Sequence, residues 1–95
     1  MIKVVSKKTL IDGTKEKVLA LYEEMIAKTR KEDGCLTYEL YELDGAPNTI
    51  TFIEEWESPE KLEAHKNSEH FKRIVPAVAK FAAEIFPLEI YKLLR

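Results

Sequence analysis

The sequence holds a single cysteine, Cys35, among its 95 residues, so no disulfide can form within the chain. It has one tryptophan and only three glycines, and it contains no glycine-rich phosphate loop, zinc-ligand set or nucleophile elbow. No run approaches the ~20 apolar residues needed to span a bilayer. The apolar start at Met1–Val5 is too short for a secretory leader. An excess of charge of one sign is also missing. Fifteen basic residues face seventeen acidic ones for a net charge of -2, and the two kinds are interleaved, as in Lys15-Glu16-Lys17. A nucleic-acid surface gathers Lys and Arg without such neutralisation. The expectation is a protein of a reducing, cytoplasmic compartment, with neither nucleic acid nor membrane as partner.

Hydrophobic residues make up 45% of the chain and charged residues 34%, the balance of one globular domain with a modest core. Residues 2–11 are rich in β-branched types and stop at Asp12-Gly13, which predicts a strand and a turn. Thr14 then offers an N-cap. Val18, Leu21, Tyr22, Met25 and Ile26 recur at helical spacing, predicting a helix to about Lys31 that Gly34 ends. Residues 35–42 and 49–57 read as two strands joined by a longer loop over 43–48. Ser58-Pro59 and Ser68 open two more helices, the last with an apolar face running from Phe71 through Phe81 and Ala82 to Ile85. Pro76 sits inside it as a break or kink, and residues 88–94 form a final strand.

The order β-α-β-β-α(α)-β predicts a ferredoxin-like α+β domain over residues 1–95. Its four-stranded antiparallel sheet carries its helices on one face. Apolar side chains on both strand faces then call for a second sheet, and another copy of the chain, a homodimer, is the cheapest source.

Few residues can carry chemistry. His65 is three residues after Leu62, on the inward side of its helix. It is either a core histidine or a general base, since imidazole titrates near neutrality without tuning. His70 opens the next helix as a capping, surface or ligand-contacting group. Five residues apart, the two histidines stand roughly 140° apart on one continuous helix, so no metal site is expected unless the chain breaks near Asn67. Trp56, Tyr38, Phe52 and Tyr22 can pack in the core or wall a pocket. Glu54 shares the apolar strand face of Phe52 and Trp56, so it must be paired, pocket-lining or at a seam. Cys35 has no activating neighbour in sequence and reads as structural.

Three segments resemble the antibiotic-biosynthesis-monooxygenase family. Glu32-Asp33-Gly34-Cys35-Leu36-Thr37-Tyr38-Glu39-Leu40 is similar to its acidic-Gly-Cys-x-x-Tyr-x-Leu segment. Glu55-Trp56-Glu57-Ser58-Pro59-Glu60-Lys61-Leu62-Glu63-Ala64-His65 is similar to its Glu-Trp stretch and the helix that follows. Ser68-Glu69-His70-Phe71 is similar to its Ser/Thr-x-His-Phe. The resemblance covers residues 32–75 and implies a dimeric α+β barrel with a pocket between sheet and helices in each subunit. It also implies oxygenation of a small aromatic, such as a hydroquinone or polyphenol, by dioxygen without flavin, haem or metal. His65 would be the base, with Trp56, Tyr38, Phe52, His70 and Tyr22 contacting substrate. Other members isomerise phosphorylated carbonyl compounds, for which Lys66, Lys72 and Arg73 offer a phosphate anchor. A third reading is a dimeric module that binds a small ligand without catalysis. Haem breakdown is excluded, because His65 and Val75 stand where that class has Trp and His.

Overall fold

Ile2–Leu10 (β1) and Ala46–Trp56 (β3) pair antiparallel, from Ile2 opposite Trp56 to Thr9 opposite Thr49, in the computed structural model, which describes residues 1–95. Alternation turns Ile2, Val4 and Leu10 of β1 to the same side as Ile50, Phe52 and Trp56 of β3, and all six are buried. Cys35–Leu43 (β2) takes the other edge of β3, with Tyr38 opposite Glu54. Three helices supply the remaining core: Lys15–Thr29 (α1), Pro59–Lys66 (α2) and Glu69–Ala79 (α3). Val18, Tyr22 and Met25 of α1, Leu62 of α2, and Ile74 and Val78 of α3 join the strand residues in one cluster. With Ala82–Ile85 (β4) on the free edge of β1, the strand order β2-β3-β1-β4 is that of a ferredoxin-like α+β fold.

Three boundaries differ from the sequence expectation. The hairpin turn is tight, at Asp44-Gly45, and Pro47 lies inside β3. Proline is tolerated there because pairing with β1 ends at Thr49 and the register with β2 slips between Glu42 and Leu43, so no ladder needs its missing N–H. The third helix stops at Ala79, although Phe81, Ala82 and Ile85 continue its spacing. Ala82–Ile85 is instead a strand, β4, which pairs with Lys8, Thr9 and Leu10. The final strand is shorter than residues 88–94: Glu89–Lys92, β5, pairs with Ile2–Val5. The expected fourth strand is therefore two short ones sharing a single edge of β1, with Phe86-Pro87-Leu88 between them.

Serine hydroxyls start both later helices. Ser58 Oγ accepts from the Lys61 amide and Ser68 Oγ from the Phe71 amide, each at 3.3 Å. Only Asn67 and Ser68 separate α2 from α3, and that break sets the angle between the two histidines.

Gly34, before β2, has φ +87° and packs its Cα against the Lys61 side chain, which occupies the space a Cβ would need. Gly34→Ala combines the left-handed penalty with displacement of Lys61 from its pair with Asp33. A loss of about 2 kcal/mol is expected, read as a lower urea midpoint at unchanged slope.

Candidate functional site

The inward stripe of β1 is Ile2, Val4, Ser6, Lys8 and Leu10, so two polar residues interrupt an apolar face. On β3 the matching interruption is Glu54, between Phe52 and Trp56 and flanked by Val4 and Tyr38 on the adjoining strands. These polar groups face a cavity of about 100 Å³ between the sheet and the helices. Tyr22, Tyr38, Phe52 and Phe71 form its aromatic lining, and Lys8, Glu54, His65 and Lys66 are its ionisable groups. Phe52 stacks on Tyr38 with centroids 4.5 Å apart and meets the edge of Tyr22 at 4.8 Å, which fixes the wall.

Glu54 is 5% exposed, and its Oε1 accepts from the Trp56 indole Nε1 at 2.9 Å. Burial pushes its carboxyl up to about 7, against the opposing pull of the indole hydrogen bond and of Lys66 and Lys8. Lys8 donates to the Tyr22 hydroxyl at 2.7 Å. Burial lowers its ammonium, which Glu54 partly restores, and burial raises the Tyr22 and Tyr38 phenols.

His65 is buried, and its ring is held on three sides. Trp56 lies 4.8 Å away at a shallow angle, Phe71 meets it edge-on at 5.0 Å, and Tyr38 is at 5.5 Å. Its Nδ1 is 2.7 Å from Glu32 Oε2, which leaves Nε2 as the ring nitrogen with no protein partner. Burial, with His70 and Lys66 adding to it, holds the imidazole below its ordinary range, so it is neutral. Burial and the nearby Glu54 hold Glu32 above the usual carboxylate range. With Glu32 accepting from Nδ1–H, the lone pair lies on Nε2, the arrangement of a carboxylate-oriented imidazole base.

Of the side chains singled out from sequence, Tyr22, Tyr38, Phe52 and His65 converge on the cavity. Trp56 is fully buried behind it, bracing His65 and Glu54 rather than lining the space. His70 is also outside the lining. Its Nε2 is 3.6 Å from Glu32 Oε2 and 3.3 Å from Ser68 Oγ, with its ring centroid 6.0 Å from that of His65. The break at Asn67 thus brings together two histidines that a continuous helix would separate. Cys35 is half-buried with its thiol pushed up to about 11 by burial, an unreactive state. Arg73 is committed to Glu24 and Glu69 on the surface, so it is not a free anchor. Lys66, one of the phosphate anchors offered by the sequence, lines the cavity, and Glu32 and Lys8 complete the site without having stood out in sequence. Lys8 had a signal, a charge at the inward parity of an apolar strand. Glu32 had none, since it lies in a turn 33 residues before its partner.

The protein-family model described as antibiotic biosynthesis monooxygenase matches residues 1–77. An uncharacterised Synechocystis protein is 30% identical over 79 residues, 83% of this chain and 54% of that protein. A Mycobacterium tuberculosis protein provisionally named a monooxygenase is 40% identical over 52 residues, 55% of this chain and 50% of that protein. The chain spans about half to two-thirds of the length of the curated relatives it matches. A crystal structure described as an antibiotic biosynthesis monooxygenase superposes with TM-score 0.94 at 32% identity, covering all of both chains. A conserved protein of Methanosarcina mazei superposes at 0.93 with 31% identity, over 96% of this chain and 90% of its own. No helix is long and apolar enough to cross a membrane.

Proposed function

The chain belongs to the antibiotic biosynthesis monooxygenase family, and from that premise we propose that it oxygenates a single-ring phenol, typified by a hydroquinone, using dioxygen and no redox cofactor. The observation that carries this reading is His65, oriented by Glu32 through Nδ1, on the wall of an aromatic cavity. An apolar cavity of roughly 150 Å³ admits benzene, so at about 100 Å³ this one excludes anything larger than a single ring and must widen to take a hydroquinone.

The reaction balances without an external reductant. The phenol gives its proton to His65 Nε2, and Glu32 stabilises the imidazolium. The phenolate passes one electron to dioxygen, and the ring radical and superoxide combine into a ring peroxide. Loss of water from the peroxide leaves a hydroxyquinone. Hydroquinone plus dioxygen thus gives hydroxyquinone plus water, all four electrons coming from the substrate. The protein's part is to bind one ring in a dry space, remove a proton and hold the anion near Lys8. Oxygen uptake by the purified chain, with metals chelated, across a panel of hydroquinones tests it. Uptake that depends on substrate is expected, and none above background across the panel overturns it.

Phosphorylated carbonyl isomerisation is favoured by one observation, the two ammonium groups of Lys8 and Lys66 beside the same histidine. Saturable binding of a sugar phosphate that excludes hydroquinone would move the assignment there.

The working unit in this reading is a homodimer. Val5 and Ile53 lie on the outer sheet face, with Tyr41 and Tyr91 exposed beside them, and Ile90 and Leu93 are half-exposed or more. A second copy is the surface that suits them. Sedimentation velocity at micromolar concentration is expected to give twice the chain mass, and a folded monomer would remove the dimer.

A further inference from the structure

We propose that Glu32, His65 and His70 form a binding site for a divalent transition-metal ion. The second half of the proposal rests on the base assigned above: the bound ion shuts His65 off. The three side chains come from the turn after α1, the last turn of α2 and the first turn of α3, and one ligand atom from each lies within 4.8 Å of the others. Both imidazoles are buried, His65 at 2% and His70 at 8% exposure, so little hydration is lost when they ligate. Metal–ligand bonds of roughly 2.0–2.2 Å place tetrahedral ligand atoms about 3.3 Å apart. His70 Nε2 and Glu32 Oε2 stand 3.6 Å apart and His65 Nδ1 and Glu32 Oε2 2.7 Å. Tetrahedral spacing therefore takes an adjustment of Glu32 on its turn together with a closing of the two rings, whose ligand atoms lie within 4.8 Å. Two histidines and one carboxylate with further positions open form a recognised donor set for such ions. A surface depression lined by Glu32, Asp33, Lys61 and His65 gives access, and Lys61 there is tied to Asp33 rather than free to repel the ion.

An ion on Nδ1 moves the imidazole proton to Nε2, the nitrogen that would otherwise receive the phenol proton. No net proton is gained or lost, but the base disappears.

Titration of the tag-free chain with Co²⁺, followed by its visible absorption and by displacement with Zn²⁺, reads binding without any turnover. One ion per chain is expected, with His70→Gln and Glu32→Gln each weakening binding at least roughly tenfold. Circular dichroism confirms that both variants are folded. No Co²⁺ spectrum in large molar excess, or unchanged affinity in both folded variants, overturns the site. Binding that leaves oxygen uptake unaffected overturns the shut-off. Binding with no uptake under any condition counts against the oxygenase reading and leaves the site standing.

Discussion

His65→Ala is expected to lower hydroquinone-dependent oxygen uptake by roughly 10²–10⁴-fold, the usual worth of a positioned proton acceptor. The ring it removes is the one group in the cavity with a lone pair fixed by a carboxylate on its other nitrogen. Glu32→Gln keeps the imidazole but removes the charge that stabilises its protonated form, so a smaller loss is expected, confined to kcat more than KM. Glu54 is the competitor for the role of base, because its carboxyl is buried in the same cavity. Ionised, it would be the stronger base of the two. Burial that raises it to about 7, however, leaves much of it already protonated near neutrality, and its Oε1 is engaged by the Trp56 indole. His65, by contrast, carries no proton to displace from Nε2. Uptake within twofold of the parent in His65→Ala, with the fold intact, would transfer the role elsewhere.

Glu54→Gln is expected to change stability with pH in a defined direction. Burial raises the folded carboxyl from 4.5 to about 7, so the folded chain holds this proton more tightly than the unfolded chain does. For an acid shifted upward, the associated stability is fully present below about 4.5. It is lost progressively as pH rises through about 7. At about 1.4 kcal/mol per pH unit, the ionised carboxylate costs on the order of 3 kcal/mol above that range. Glutamine has no proton to lose and keeps an oxygen for the Trp56 indole. The variant should therefore match the parent near pH 5 and exceed it near pH 8, where its Tm should be higher by roughly 15 °C. A Tm difference of the same size at both pH values would show that Glu54 is paired or hydrated well enough to ionise without penalty.

The parts of the fold legible in sequence were those decided locally. The β-branched content of residues 2–11 with the Asp12-Gly13 stop marks β1, the apolar spacing from Val18 to Ile26 marks α1, and Ser58-Pro59 and Ser68 mark helix starts that their hydroxyls cap. The end of α3 was not legible, because Phe81, Ala82 and Ile85 keep helical spacing. What converts them to strand is the vacant edge of β1 at Lys8–Leu10, a partner more than seventy positions earlier. The same division holds in the site. Tyr38, Phe52 and His65 stand out by type and parity, whereas Glu32 becomes meaningful only when the turn after α1 is folded against α2. The Lys7-Lys8 pair looks like a solvated doublet, yet strand parity sends Lys8 inward to Tyr22. Chemistry that depends on which residues share a strand face can be read from spacing. Chemistry that depends on two distant turns meeting requires the folded chain.

The edge of β1 that β4 and β5 share has a consequence for synthesis. Ile2–Leu10 is made first, but one side of it stays without ladder partners until residues 82–92 have left the ribosome. Until then, the nascent domain displays an open strand beside its half-built core, the kind of template that recruits other chains. The β2–β3 hairpin, closed by two turn residues, can form early and protect the opposite side. Slowing the translation of residues 82–92 should therefore favour aggregation more than slowing that of β2 or β3.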